Sequence, residues 1–200
     1  MNQNIILQTK GQKQTKENNT SYTDFYKKYV NELYSYAISL GFTENNAMDS
    51  IHDIFCAIFL NGVTFHDTDN IKYYLFRSLK NKLINIRKQE QRLTFDNMDH
   101  FDFAMDVSVI DTIINEEERL QTEATVRRLM ESLTNNQREA IYLRYMQNME
   151  YNKIALLLDI NVESVRKLVY RGMCELRKSR LDIFFILLIY LKQYDFISLE

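Results

Sequence analysis

The sequence predicts an all-α protein built from two small helical domains that are joined by an acidic linker. The 200 residues include no proline and only four glycines, so few residues break helices. Hydrophobic residues make up 46% of the chain, which is enough to fill a core. They recur at helical spacing on both sides of residues 93–118, a stretch that carries eight acids and no base.

These patterns divide the chain into five segments. Residues 1–21, rich in Gln, Asn, Thr and Lys, match no signal-peptide pattern and are expected to form a disordered tail. The helical domains are expected at residues 22–92 and 119–180, with the acidic linker at 93–118 between them. Residues 181–200 make an apolar C-terminal tail.

The C-terminal tail contains an unbroken apolar run of nine residues, from Ile183 to Leu191. A helix that crosses a bilayer needs about twenty residues, so no stable membrane insertion is expected. An apolar run without a polar face has to be covered. We expect it to fold back onto its own chain, or onto a partner, and to hold the two domains together.

The sequence excludes several classes of protein. Cys56 and Cys174 lie far apart within apolar helical patterns, which predicts small buried side chains of a reduced, cytoplasmic protein and no disulfide. The chain has no phosphate-binding glycine loop, nucleophile elbow or His-Glu zinc motif. We therefore predict no enzyme activity, no cofactor and no small-molecule substrate.

Three helices are expected in the first domain. The first begins near Tyr22 and ends at Gly41, because glycine suits the left-handed cap of a helix. Thr43 is a good N-cap for the second helix. The apolar residues of that second helix predict a buried face made of Ala47, Ile51, Ile54, Phe55, Ile58 and Phe59. The third helix, residues 71–92, holds seven bases and one acid.

The polar sides of the second and third helices allow more than one interpretation. Asp49, His52 and Asp53 could bind a metal, but no ligand motif is present and an acidic surface for a protein partner is favoured. The basic third helix is as typical of a solvated face as of DNA binding. Phe65, in the loop before it, could stack on an unpaired base or anchor the loop.

The second domain shows a helix-turn-helix pattern. Thr134 and Gln137 form a capping box, and Asp159 and Asn161 suit a tight turn followed by an N-cap. The last helix presents Glu163, Arg166, Lys167, Tyr170 and Arg171 outward. This face is either a solvated amphipathic surface or a recognition helix for the DNA major groove. The paired helices and the clustered bases favour DNA recognition.

The order and spacing of these motifs resemble the extracytoplasmic-function (ECF) group of the sigma-70 family of RNA polymerase sigma factors. The resemblance covers residues 22–92 and 119–178. The segment "AMDSIHDIFCAIF" resembles region 2.2, with His52 in place of a Gln, and "YLFRSLKNKLINIRK" resembles regions 2.3 and 2.4, with Tyr74 in place of a Trp. Family positions in these segments are occupied by Ala47, Asp49, Phe55, Leu75, Asn81 and Arg87.

The second domain carries the rest of the resemblance. "LTNNQREAIYLRY" resembles region 4.1, and "MEYNKIALLLDINVESVRKLVYRGMCELRK" resembles region 4.2. In region 4.2 the chain departs from the family at a cap, a helix and a turn, where Glu150, Lys153 and Asp159 replace the usual Ser, Glu and Gly. Family positions are occupied by Ile154, Ala155, Ile160, Ser164, Val165 and Leu176.

The resemblance implies a factor that binds core RNA polymerase and directs promoter recognition and DNA melting. The expected polymerase contacts are the β′ clamp helices and the β flap, with an anti-sigma factor as a further candidate partner. For the β′ contact the implied residues are Asp49, His52, Asp53 and Phe55. For the −10 promoter element they are Phe65, Arg77, Lys80, Asn81, Arg87 and Lys88. For the −35 element they are Ser164, Arg166, Lys167, Tyr170 and Arg171. The rival interpretation is a helix-turn-helix regulator that acts without joining polymerase.

Overall fold

The computed structural model of the chain describes residues 22–60, 68–94, 103–104, 124 and 127–178. Every element within these ranges is helical, which confirms the all-α prediction. No helix among them is both long and apolar enough to cross a bilayer. The two predicted tails and most of the predicted acidic linker lie outside the described residues.

The helices are numbered here in chain order. They are α1 (22–39), α2 (Glu44–Leu60), α3 (Thr68–Thr94), α4 (127–131), α5 (Asn135–Ile141), α6 (Tyr151–Leu158) and α7 (Val162–Arg177). A π-helical turn, Tyr142–Met146, continues α5.

Local signals define the first two helices. After α1 the chain turns at Gly41, whose φ of 81° is the left-handed conformation that favours glycine. The Thr43 hydroxyl then accepts a hydrogen bond from the Asn46 amide at 3.3 Å, which confirms the predicted N-cap of α2. The buried residues of α1 include Tyr29, Leu33, Tyr36 and Ala37, which recur at helical spacing.

Two predictions, one for α2 and one for the two cysteines on α2 and α7, are wrong. The Phe59 side chain is 51% exposed, and its ring packs edge-on against Tyr22 at 4.6 Å instead of entering the core. Cys56 is exposed and Cys174 is partly exposed, so neither thiol is fully buried. Cys56 follows buried Phe55 by one residue, and one residue advances about 100° around a helix, which turns the thiol outward.

The second half of the chain is a helix-turn-helix unit. The predicted capping box between Thr134 and Gln137 is present at the start of α5. Asp159 adopts a left-handed φ of 54° in the turn, and the Asn161 side chain accepts from the Ser164 amide at 2.7 Å to cap α7. Gly172 lets α7 approach α5 closely, because an added Cβ would lie 2.7 Å from Cδ1 of Ile141.

The two halves share one hydrophobic core. The ring of Tyr36 on α1 stacks on that of Tyr142 beyond α5, with centroids 5.9 Å apart and planes 17° apart. Phe103, within the predicted linker, is 1% exposed and packs against both rings. Ala104 anchors the same segment by donating its amide to the Ser39 carbonyl at 2.8 Å. The boundaries of the domains and of the linker stay predictions.

Candidate nucleic-acid interface

The outer face of α7 is basic and open to solvent. Arg166, Lys167 and Arg171 are exposed, and the Tyr170 side chain is 71% exposed. Ser164 is half-buried beside the N-cap. Arginine can form two hydrogen bonds with a guanine edge, and lysine and tyrosine can contact phosphate. This face can therefore enter a major groove without any rearrangement of α7.

An acid lies within the basic face of α7. A carboxylate oxygen of Glu163 is 4.0 Å from Nη1 of Arg166, and the other is 3.9 Å from Nζ of Lys167. All three side chains are more than 60% exposed, so these ion pairs are weak and can be exchanged for contacts with DNA. A carboxylate on a recognition helix can also accept a hydrogen bond from a cytosine amino group.

The residues predicted for the −10 element occupy different environments on α3. Asn81 and Lys88 are exposed. Arg87 is half-buried, with its guanidinium 4.9 Å from the Phe42 ring centroid and 3.5 Å from the carbonyl oxygen of Leu40. Arg87 therefore also supports the end of α1. Phe65 lies outside the described residues.

Two other residues predicted for the −10 element face the second half of the chain. Arg77 is exposed, donates to the Tyr73 hydroxyl and lies 3.4 Å from the Leu156 carbonyl oxygen of α6. Lys80 is only 12% exposed, and its ammonium group lies 2.7 Å from a carboxylate oxygen of Glu139. In this arrangement Lys80 is engaged inside the protein and does not present its charge to DNA.

The acidic side of α2 forms a small surface. Asp49 is exposed, and Asp53 forms an ion pair of 2.5 Å with Lys82 of α3. His52 lies 2.9 Å from the Tyr26 hydroxyl and its ring stacks on that tyrosine. Among the described residues, no group of acids, histidines or cysteines is arranged to hold a metal ion.

Phe55 does not belong to the acidic surface of α2. Its side chain is 5% exposed and packs edge-on against Phe25 and Tyr26. The prediction that Phe55 touches polymerase directly does not fit this packing. Burial of this large apolar ring stabilises the core, where the ring packs α2 against α1.

Sequence reasoning missed the buried polar group at the centre of the molecule. Glu139 is 6% exposed and accepts a hydrogen bond of 2.6 Å from the Tyr36 hydroxyl, in addition to the bond from Lys80. Burial, and then the charge of Glu139, holds the pKa of Tyr36 well above its usual value, so the phenol remains a proton donor. The sequence held one signal for the burial of Glu139. This residue lies three and four positions before the apolar residues Tyr142 and Leu143, so it shares their helical face.

Comparisons with known proteins agree with this architecture. The family model described as Sigma-70, region 4 matches residues 123–176, which span the helix-turn-helix unit. The chain is 19% identical over 150 residues to the ECF RNA polymerase sigma factor SigM of Bacillus subtilis (strain 168), a match that covers 74% of this chain and 88% of that relative.

A solved structure supports the same fold. The sigma factor RpoE of Bartonella quintana, determined in complex with the anti-sigma factor NepR, matches with a TM-score of 0.54 and 22% sequence identity. The match covers 78% of this chain and 95% of the RpoE chain. Residues 123–176 are thus similar to sigma-70 region 4, most of the chain is similar in sequence to an ECF sigma factor, and the fold is shared with a solved sigma factor.

Proposed function

We propose that this protein is a sigma factor that binds core RNA polymerase, directs it to promoters and helps to open the DNA. The observation that carries the proposal is the exposed basic face of α7, which lies inside the segment that matches sigma-70 region 4. A basic face on the second helix of a helix-turn-helix unit is suited to the major groove. The protein acts in the cytoplasm and contributes no catalytic residue, cofactor or small-molecule site of its own.

The −35 element is read by α7. Arg166, Lys167, Tyr170 and Arg171 reach the groove and its phosphates, and Ser164 approaches the backbone at the N-terminus of the helix. The packing of Gly172 against Ile141 supports this role, because it fixes the depth at which α7 projects from α5.

The −10 element is read by α3 and by the loop before it. Asn81 and Lys88 are already exposed, and Arg77 and Lys80 join them when their contacts with the second half are released. Phe65 stacks on a base that has left the duplex.

Polymerase is bound through both halves. Asp49 and its neighbours His52 and Asp53 on α2 face the β′ clamp helices, while residues 119–180 contact the β flap. Phe55 supports this surface from behind, because it packs under α2. The shared fold with a sigma factor that was solved with its anti-sigma factor supports an anti-sigma factor as a further partner.

The test is run-off transcription with core polymerase on a promoter mapped for this factor. Arg166→Glu should lower initiation in proportion to a loss of about 1–3 kcal/mol of binding, since the variant removes a base contact and repels phosphate. Lys27→Glu is the matched control, because it makes the same charge change at an exposed position on α1. Equal initiation by both variants would mean that α7 does not contact the promoter. Specific DNA binding without any response to core polymerase would favour a stand-alone regulator.

A further inference from the structure

The two halves of the chain are joined by a buried ionic contact. The Glu139 carboxylate on α5 accepts hydrogen bonds from Tyr36 on α1, at 2.6 Å, and from Lys80 on α3, at 2.7 Å. The Lys80 and Glu139 side chains are only 12% and 8% exposed. Lysine and glutamate are almost never buried unless they are paired, so each of these charges needs the other while this arrangement lasts.

Contacts between α3 and α6 flank the ion pair. Arg77 donates to the Leu156 carbonyl oxygen at 3.4 Å. Lys153 donates to the side chain of Asn70, and its ammonium lies 5.2 Å from the Tyr73 ring centroid. The helix proposed to read the −10 element, α3, is therefore held by α6, which packs against the recognition helix α7. We call this arrangement the closed form.

The closed form does not match the geometry of a promoter. Elements at −10 and −35 are about 25 base pairs apart, which is roughly 85 Å at 3.4 Å per base pair. In the closed form α3 packs on α6 and α6 packs on α7. Two helix-packing distances amount to roughly 20 Å. One molecule cannot hold both elements until the halves separate.

The predicted linker is long enough to permit this separation. Its 26 residues, 93–118, span at most roughly 86–94 Å when fully extended. Phe103 now ties the linker to Tyr36 and Tyr142 in the shared core. Opening must therefore release Phe103 together with the ion pair, so the two events are coupled.

We propose that Glu139 is a latch that takes the place of a DNA phosphate on Lys80 and keeps the free sigma factor closed. Promoter engagement replaces one anion with another on the same ammonium group, which limits the cost of opening. The proposal rests on the proposed function of α3, and it adds the residue that regulates access to that helix.

A covalent lock tests whether the closed form is inactive. Cysteines replace Asn70 and Lys153, whose side chains touch across the two halves, after the native Cys56 and Cys174 have been replaced by serine. A contact made by the end of a lysine side chain does not by itself bring two Cα atoms within the roughly 7 Å that a disulfide requires, so a short reducible bis-maleimide joins the two thiols. The cross-linked full-length variant should lose run-off transcription with core polymerase, and cleavage of the cross-linker by a thiol reductant should restore it. The variant with Asn70→Cys alone, treated in the same way, is the control and should be active in both states.

The outcomes of the lock are decisive. Failure of the cross-link to form would mean that α3 and α6 do not meet in solution, and full activity of the cross-linked protein would mean that closure does not inhibit. Either result overturns the proposal. If the wild-type protein also fails to initiate transcription, the proposed function is wrong. The affinity for single-stranded DNA then tests separately whether Glu139 acts as a latch.

That second measurement uses Glu139→Gln, which keeps the shape of the side chain and removes its charge. Affinity for a fluorescent single-stranded DNA of mixed sequence should rise by about five-fold or more, since the latch no longer competes for Lys80. Glu175→Gln is the matched control, because it removes a carboxylate that is paired with Lys178 at 2.6 Å at the C-terminal end of α7, away from the contact between the halves. Tyr36→Phe removes one hydrogen bond and should give a smaller increase. Equal affinities for Glu139→Gln and Glu175→Gln would overturn the proposal.

Discussion

At the scale of single residues, Tyr36 and Glu139 link packing to electrostatics. Tyr36 is fully buried and gives its only side-chain donor to Glu139, so the hydroxyl satisfies an acid that is largely shielded from water. Removing one member of such a group leaves a buried charge or acceptor without a partner, which commonly costs about 3–5 kcal/mol for an ion pair. Glutamine is therefore a better probe of Glu139 than alanine.

The raised pKa of Tyr36 predicts a loss of stability in alkali. The pKa in the folded protein lies above that in the unfolded chain, so the contribution of this phenol is complete below a pH of about 10 and is lost as pH rises toward the folded value. In urea unfolding, wild type should lose stability relative to Tyr36→Phe above that pH, because Phe does not ionise and the other tyrosines are common to both proteins. A constant difference in unfolding free energy from pH 8 to pH 11 would contradict the environment assigned to Tyr36.

At the scale of elements, α2 has one side that packs in the core and an opposite side that is proposed to bind polymerase. One face packs on α1 and α3, and the other carries exposed Asp49 and His52. An exposed charge change usually alters stability by about 0.5 kcal/mol or less. Substitution on this outer side can thus probe partner binding without unfolding the helix.

Asp49→Arg should weaken the capture of core polymerase while its thermal unfolding stays close to that of wild type. The expected cause is like-charge repulsion or the loss of a polar contact at the proposed β′ surface. Asp24→Arg, at an exposed position on α1, is the control for net charge. Wild-type capture by the Asp49 variant would exclude this side of α2 from the interface.

The elements also show which features the sequence could predict. Helix ends at Gly41, Thr134 and Asn161 were predictable, because caps depend on a few neighbouring residues. The pairing of Tyr36 with Glu139 was not, since 103 residues separate them and helical period does not say which two faces meet. The prediction that Phe59 is buried was wrong for a related reason. The apolar stripe of α2 is wide, and its pattern does not show which residues lie at the edge of the buried face.

At the scale of the whole molecule, the charge distribution agrees with a two-part DNA reader. The net charge of −2 is the sum of two basic segments, residues 1–92 and 119–200, and the acidic residues 93–118 between them. The acidic segment, predicted to be a linker, repels DNA phosphate and is suited to a positive channel on a larger partner. The core shared by the two halves was not predicted from sequence, since helical periodicity does not show which faces of distant helices meet.

The apolar C-terminal tail provides a prediction at this scale. A chain that ends at Arg180 should stay soluble and bind promoter DNA or core polymerase at least as tightly as the full chain, if the tail helps to hold the closed form. Binding assays and thermal unfolding of the two chains make the comparison. Unfolding of the shortened chain would instead mean that the tail is part of the core of the second domain. Membrane sedimentation of the full chain alone would favour a bilayer contact.

The central claim is that this chain gives core polymerase its promoter specificity. Its most direct test is the mapping of transcript starts from genomic DNA with core polymerase alone and with the purified protein added. We predict new start sites that share sequence elements near −10 and −35 and that disappear with Arg166→Glu but persist with Lys27→Glu. The same start sites with and without the protein, even if it binds DNA by itself, would contradict the claim.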